Sequence, residues 1–158
     1  MSGGAASQLE ALVTERAVWR AAGRRMAFTN GCFDLLHPGH LRLLEWARGE
    51  ADVLIVAINA DASVRALKGG ARPVVPEAER VETLLALEAV DRVLIYGEQT
   101  PLQVICALLP DVLVKGSDWA LEAIVGRAEV EAAGGRVVRV ELLAGRSTTR
   151  LVDRLREA

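Results

Sequence analysis

Both histidines of the chain fall inside one four-residue window, His37-Pro38-Gly39-His40. The apolar run from Met26 to Phe28 ahead of them reads as a buried strand, and Gly31 lies in the turn that follows. A helical pattern starts at Pro38, which suits the first helical position because its missing N–H costs nothing there. Leu41, Leu44 and Ala47 continue that pattern as an apolar stripe. The chemistry of a strand-to-helix junction is anion binding, since unpaired N–H groups and the positive end of the helix dipole meet there. Gly31 and Gly39 let a phosphate approach the backbone, and His37 and His40 add two directional donors. One histidine at a helix start is ordinarily just that. Two in one window after a strand favour function.

Further along, the chain carries anion donors without an obvious base: Lys68, Arg80, Lys115 and the helix start at Ser147-Thr148. Each has a plain reading, as a solvated loop, a helix face, a strand-end charge and an N-cap. Together with the histidines they fit phosphoryl or nucleotidyl transfer, where catalysis is mainly positioning and charge stabilisation. The run Lys68-Gly69-Gly70-Ala71-Arg72-Pro73 breaks all periodicity. By composition it is a solvated loop; beside a phosphate site, a basic, glycine-hinged loop can instead close over substrate. No G-x-G-x-x-G follows the first strand and the sequence contains no G-x-x-x-x-G-K-[ST], which counts against a dinucleotide dehydrogenase and a P-loop NTPase. Cys32 reads as a small turn residue with its backbone toward ligand, because a thiolate beside phosphate is poorly placed as a nucleophile.

The elements that must position these residues follow from periodicity. Residues 1–6 are small and expected to fray, and Gln8 to Ala22 forms a helix with Leu9, Leu12, Val13, Ala17 and Ala21 near one face. Residues 52–58 are a continuous apolar run, the mark of a strand covered on both faces. Asn59 or Asp61 is placed to cap a short helix. Pro76 to Val90 reads as a helix with Val81, Leu84, Leu85 and 87–89 on its apolar side, and Val93 to Tyr96 as a strand. Thr100-Pro101 supplies an N-cap and first position for a helix ending near Leu109-Pro110. Val112 to Val114 is a strand leading into Lys115-Gly116-Ser117-Asp118-Trp119, then a helix from about Leu121 to Ala133, a strand at 137–140, and a last helix with Leu151, Val152 and Leu155. The expected fold is α/β, a single doubly wound Rossmann-like domain over a mostly parallel five-stranded sheet. It divides into an N-terminal segment and helix, 1–24, and the domain proper, 25–158. The turns after strands one, two and four and the last loop should converge beyond the carboxyl ends of the strands.

With 158 residues, 51% hydrophobic and 25% charged, the chain is long enough for one real core. A net charge of −2 gives no reason to expect nucleic acid or an acidic membrane as partner. No apolar run approaches a membrane span, and two distant cysteines, Cys32 and Cys106, suit a reduced cytoplasm. Histidines and cysteines are too few for a structural zinc site, so no protein-held metal is expected.

The window also matches a family pattern. His37-Pro38-Gly39-His40 has the H-x-G-H form of the nucleotidyltransferase superfamily, shared with class I aminoacyl-tRNA synthetases, and Gly31-Cys32-Phe33-Asp34 resembles its small cytidylyltransferase-like branch. Residues 59–63, Leu67-Lys68-Gly69 with Arg72-Pro73-Val74, Arg80, 87–91, 109–118 and Ser147-Thr148-Thr149 follow in order. Over about Leu9 to Leu155 the chain resembles the adenylyltransferases that make ADP-heptose from D-glycero-β-D-manno-heptose 1-phosphate.

That resemblance implies His37, His40 and Lys68 as catalytic residues. It implies Asn30, Gly31, Cys32, Phe33, Gly39, Arg80, Lys115, Gly116, Ser147 and Thr148 toward the nucleotide. Asp34, Lys68, Arg72, Asp118 and Trp119 then face the sugar phosphate. It further implies ATP and a sugar 1-phosphate as substrates, Mg2+ carried by ATP, a separate sugar kinase, a homodimer, and a product bound for lipopolysaccharide. Glycerol-3-phosphate cytidylyltransferases are the nearest competitor. They have an Arg-Thr-Glu-Gly run where this chain has Leu142-Leu143-Ala144-Gly145, so that arginine is missing, and Arg146 is a further departure. A non-catalytic nucleotide-binding module is the third reading.

Overall fold

The long apolar runs become strands covered on both sides, and their order in space sets where a ligand can sit. The computed structural model describes residues 3–157. Strands β1 (Met26–Gly31), β2 (Val53–Asn59), β3 (Arg92–Tyr96), β4 (Val112–Gly116) and β5 (Arg136–Val140) form one sheet in the order β3-β2-β1-β4-β5. Every pairing is parallel. The strand order reverses between β1 and β4, and a crevice opens beyond the carboxyl ends of strands at such a switch point.

The helices are α1 (Gly3–Ala21), α2 (Pro38–Gly49), α3 (Asp61–Lys68), α4 (Glu77–Leu85), α5 (Leu102–Leu108), α6 (Arg127–Ala132) and α7 (Thr148–Glu157). Alternate residues of each strand go to opposite faces. Met26, Phe28, Ile55, Ala57 and Leu113 pack with Leu9, Leu12 and Trp19 of α1, Val104, Ile105 and Leu108 of α5, and Val130 of α6. Ala27, Leu54, Val56, Ile58 and Val114 pack instead with Leu43, Leu44 and Ala47 of α2 and Leu84 of α4. Each fully buried Leu, Ile or Val contributes roughly 1.5–3 kcal/mol. Because α1 shares the first of these cores, the N-terminal helix and the sheet are packed as one body.

Several local expectations change. Of the segment expected to fray, Met1 and Ser2 lie outside the described residues, and 3–6 are already helical. The buried stripe of α1 is Leu9, Leu12, Arg16 and Trp19, while Val13, Ala17 and Ala21 are exposed. An arginine enters that stripe because its guanidinium meets the Asp111 carboxylate at 2.9 Å and the carbonyls of Leu108 and Leu109. On α2, Leu43 is buried and Leu41 is partly exposed. Neither Asn59 nor Asp61 caps α3; Ala60 holds that position, and the Glu77 carboxylate accepts from the Asp61 N–H instead. Helix α4 stops at Leu85, and residues 86–90 tighten into turns closed by the Leu87 and Val90 N–H groups, leaving Leu85 exposed. Pro101, not Thr100, holds the cap position of α5. The helix expected over 121–133 is broken by Gly126 at φ 83 into a 3-10 turn (Leu121–Ala123) and α6. A Cβ at Gly126 would stand 2.7 Å from Ile105, so only glycine makes this bend against α5.

Candidate active site

Immediately after β1 the chain turns through Phe33 at φ 45, a left-handed conformation that a bulky residue adopts at a cost of about 1–3 kcal/mol. Burial compensates: Phe33 is 5% exposed and its ring lies 5.2 Å from that of His40. The turn delivers His37 to the N-cap of α2. There the His37 Nδ1 accepts from the Gly39 N–H at 3.1 Å, and the His40 Nδ1 accepts from the His37 N–H at 3.3 Å. This is a capping box built from two imidazoles in place of the usual hydroxyl and carboxamide or carboxylate. The rings stack with centroids 3.9 Å apart.

The protonation state follows. A neutral imidazole whose Nδ1 accepts carries its proton on Nε2. Burial holds the His37 imidazole below its usual range, with the Arg146 charge adding to the effect. Burial, and then His37, push His40 down to about 4. At neutral pH the pair therefore presents two Nε2–H donors rather than two cations. Gly39 is required between them, because a Cβ there would lie 2.8 Å from the His37 ring.

These donors open onto a crevice of about 600 Å3. Of the residues singled out by sequence, Asn30, Gly31, Cys32, Phe33, Asp34, His37, Gly39, His40, Lys68, Arg72, Lys115, Gly116, Asp118, Trp119, Ser147 and Thr148 line it. The Lys115 Nζ donates to the Asn30 carbonyl at 3.1 Å and lies 5.1 Å from the Trp119 ring centroid. Burial lowers its pKa to about 8, with Asp118 and Cys32 opposing. Burial also raises the Cys32 thiol, against the pull of Lys68, Arg80 and Arg72, so it stays protonated and is no nucleophile. Thr148 Oγ1 donates to the Leu35 carbonyl at 2.9 Å, joining the start of α7 to the turn after β1.

Arg80 is a correction. It does not line the crevice, and only 1% of the residue is exposed. Its guanidinium donates to the carbonyls of Val75, Cys32 and Asn59 and to the Asp61 carboxylate at 2.8 Å. A group so committed holds the frame rather than a phosphate. Asp34 borders the crevice with its side chain wholly buried. One oxygen accepts from the Val74 and Val75 N–H groups, and the other from Val74 and from Arg72 Nε at 2.7 Å. Burial alone would raise its pKa, but those hydrogen bonds and the Arg72 charge outweigh it and lower the carboxyl below its usual range. Arg72, Val74 and Val75 are thereby tied to the turn after β1, and residues 68–71, where a hinge was expected, are exposed.

Sequence reasoning missed part of the wall. Asn59, Tyr96, Gln99, Thr100, Pro101, Leu142, Leu143 and Arg146 also line the crevice. The position of Asn59 at the carboxyl end of β2 was readable as a signal, and so was that of Tyr96 at the end of β3. Tyr96 is buried, and its hydroxyl accepts from Asn30 Nδ2 at 3.3 Å. Leu142 and Leu143 belong to the last loop, whose place at the crevice followed from topology, but their apolar side chains carried no functional signal of their own.

A family model described as cytidylyltransferase-like matches residues 28–148, from β1 to the start of α7. The chain belongs to the cytidylyltransferase-like family. Among curated relatives of this cytidylyltransferase-like chain, the bifunctional protein HldE of Acidiphilium cryptum (strain JF-5) is 54% identical over 158 residues, covering 96% of this chain and 32% of that protein. HldE of Rhodopseudomonas palustris (strain BisB18) is 58% identical over 136 residues, 86% of this chain and 28% of that one. The chain thus spans about a third of the length of these relatives. Among solved structures, the lipopolysaccharide core biosynthesis protein of Thermoplasma volcanium superposes with a TM-score of 0.62 at 24% identity, over 76% of this chain and 97% of that one. The pantothenate synthetase of Thermus thermophilus reaches 0.54 at 22% identity, over 81% and 60%. These two likenesses are likenesses of fold. Among the described residues no helix is long and apolar enough to cross a membrane.

Proposed function

We propose that the chain transfers AMP from ATP to D-glycero-β-D-manno-heptose 1-phosphate, releasing pyrophosphate and forming ADP-heptose. The observation that carries the reaction class is the histidine capping box, which leaves two neutral Nε2–H donors at a helix N-terminus beside the crevice lysines. The choice of ATP and the heptose rests on the sequence resemblance and on the 52–58% identity to HldE proteins.

In this reading the sugar phosphate attacks the α-phosphorus in line and pyrophosphate leaves, with no covalent intermediate. The attacking phosphate is ionised near neutral pH, so no general base is needed. His37 and His40 donate to oxygens that gain charge as the bond to the leaving group breaks. Lys68 and Lys115 supply positive charge, and the N–H groups at the start of α7 take phosphate oxygens. Arg72, Asp118 and Trp119 border the sugar phosphate. Mg2+ would arrive on the triphosphate, held mainly through its oxygens and water.

The deciding assay is pyrophosphate release with Mg2+, pairing ATP or CTP with the heptose 1-phosphate or glycerol 3-phosphate. Release only with ATP and the heptose is the expected result. Release with CTP and glycerol phosphate keeps the reaction class and overturns the substrates, and silence in all four mixtures overturns the enzyme reading. His37→Ala and His40→Ala should each lower kcat by about two orders of magnitude or more. Near-normal turnover in both would remove the histidines from the mechanism.

A further inference from the structure

The last loop before α7 carries an arginine that the mechanism above does not use. Gly145, at φ 76, turns the chain so that Arg146 follows directly before the N-terminal turn of α7. The turn is held at both ends: the Arg146 N–H donates to the Leu143 carbonyl at 3.3 Å, and Thr148 Oγ1 reaches the Leu35 carbonyl. Within it, the Arg150 N–H donates to Ser147 Oγ at 3.2 Å. Arg146 lines the crevice, and its Cβ comes within 3.7 Å of where a Cβ on Gly39 would stand, across from the histidine box. Its charge is felt at the His37 ring, second only to burial.

We propose that Arg146 is a phosphate-binding residue, the cation that clamps the triphosphate of the nucleotide against the His37 and His40 donors. The need for it is electrostatic. Both imidazoles are neutral, so the box donates hydrogen bonds but brings no charge to a polyanion. Arg80, the arginine that sequence alone suggested for this work, is spent inside the frame. Arg146 is exposed, and among the described residues no ion pair or hydrogen bond occupies its side chain. A guanidinium forks onto two phosphate oxygens in a way an ammonium does not, which suits a residue gripping neighbouring phosphates. The inference rests on the nucleotidyl-transfer reading and adds a specific contact to it.

The test separates the two. Inorganic tripolyphosphate, which has no base or sugar, is titrated calorimetrically into the full chain and into Arg146→Gln, Arg146→Lys and Arg154→Gln. Arg154 lies on α7, just beyond the same loop, is exposed and does not line the crevice, so it controls for loss of net charge. Arg146→Gln should weaken tripolyphosphate about tenfold or more, the scale of a charge-assisted hydrogen bond, with an unchanged melting temperature. Arg146→Lys should recover part of the loss, and Arg154→Gln should stay within about twofold of the parent. In turnover, Arg146→Gln should raise KM for the nucleotide more than KM for the acceptor. Affinity of Arg146→Gln within about twofold of the parent, or an equal loss in Arg154→Gln, overturns the assignment. Tripolyphosphate binding through Arg146 without pyrophosphate release from any substrate pair would keep this contact and sink the enzyme reading. Turnover with tripolyphosphate affinity indifferent to Arg146 would do the reverse.

Discussion

Arg80 and Lys115 are both cations at the edge of the β1 turn, and they are held in opposite ways. Arg80 has three carbonyls and a carboxylate around it, drawn from the turn after β1, the end of β2, the start of α3 and the 72–75 loop. It has no capacity left for a ligand. Lys115 donates to a single carbonyl, leans on the Trp119 ring, and is desolvated enough that its pKa drops to about 8. That is an under-satisfied charge beside an open crevice, and an incoming phosphate would complete it. The difference teaches how to separate frame from site: count what each cation already touches. By that measure Arg16 and Arg80 belong to the frame, Lys115 is left facing the crevice, and Arg72 is tied to the frame through Asp34.

Breaking the frame should cost most. Arg80→Met leaves the Asp61 carboxylate and three carbonyls without their donor, and should destabilise the chain by about 3–5 kcal/mol in urea unfolding. A loss under about 1 kcal/mol would mean that the frame does not depend on this guanidinium. Removing the site cation should do the opposite. Lys115→Met relieves a desolvated charge, so unfolding stability should hold or rise, while kcat/KM for the nucleotide falls about tenfold or more. The pH profile sharpens this. Lys115 is charged below about pH 8 and neutral above it, so kcat/KM of the parent should decline on the alkaline side of that value. The decline should vanish in Lys115→Met; its persistence would assign the alkaline limb to another group. The smallest effect is expected at the seam between the two regions. Thr148→Val keeps the shape but loses the bond to the Leu35 carbonyl, which should cost about 0.5–1.5 kcal/mol and raise the nucleotide KM a few-fold. No change in either would detach the start of α7 from the site.

Much of this was legible in the sequence, for reasons that are local. Met26 to Phe28 and 53–58 are apolar without alternation, and a segment with no polar face has to be covered on both sides, which forces an α/β layer arrangement. The histidine window, Gly31, Gly39, Lys115 and Ser147-Thr148 could be assigned to one crevice because all lie at strand ends or helix starts, and parallel topology brings those ends together. The same locality misled the reading of α1, whose buried stripe includes Arg16 and Trp19, and of 121–133, where Gly126 breaks a continuous helical pattern.

By itself, then, the sequence determined the layer class, the strand ends that carry the site, and the residue types offered to an anion. Only the tertiary structure decided which charges remain free to meet it. Whether a guanidinium binds ligand depends on how many acceptors surround it, and for Arg80 those come from four separate segments between Cys32 and Val75. The same holds for the imidazole pair, whose neutrality comes from burial and then from the Arg146 and His37 charges beside them, and for Arg146, whose nearness to His37 is made by the fold across 109 residues of chain. Proximity of that kind leaves no trace in local pattern, because the contacts that create it are chosen by packing and not by spacing.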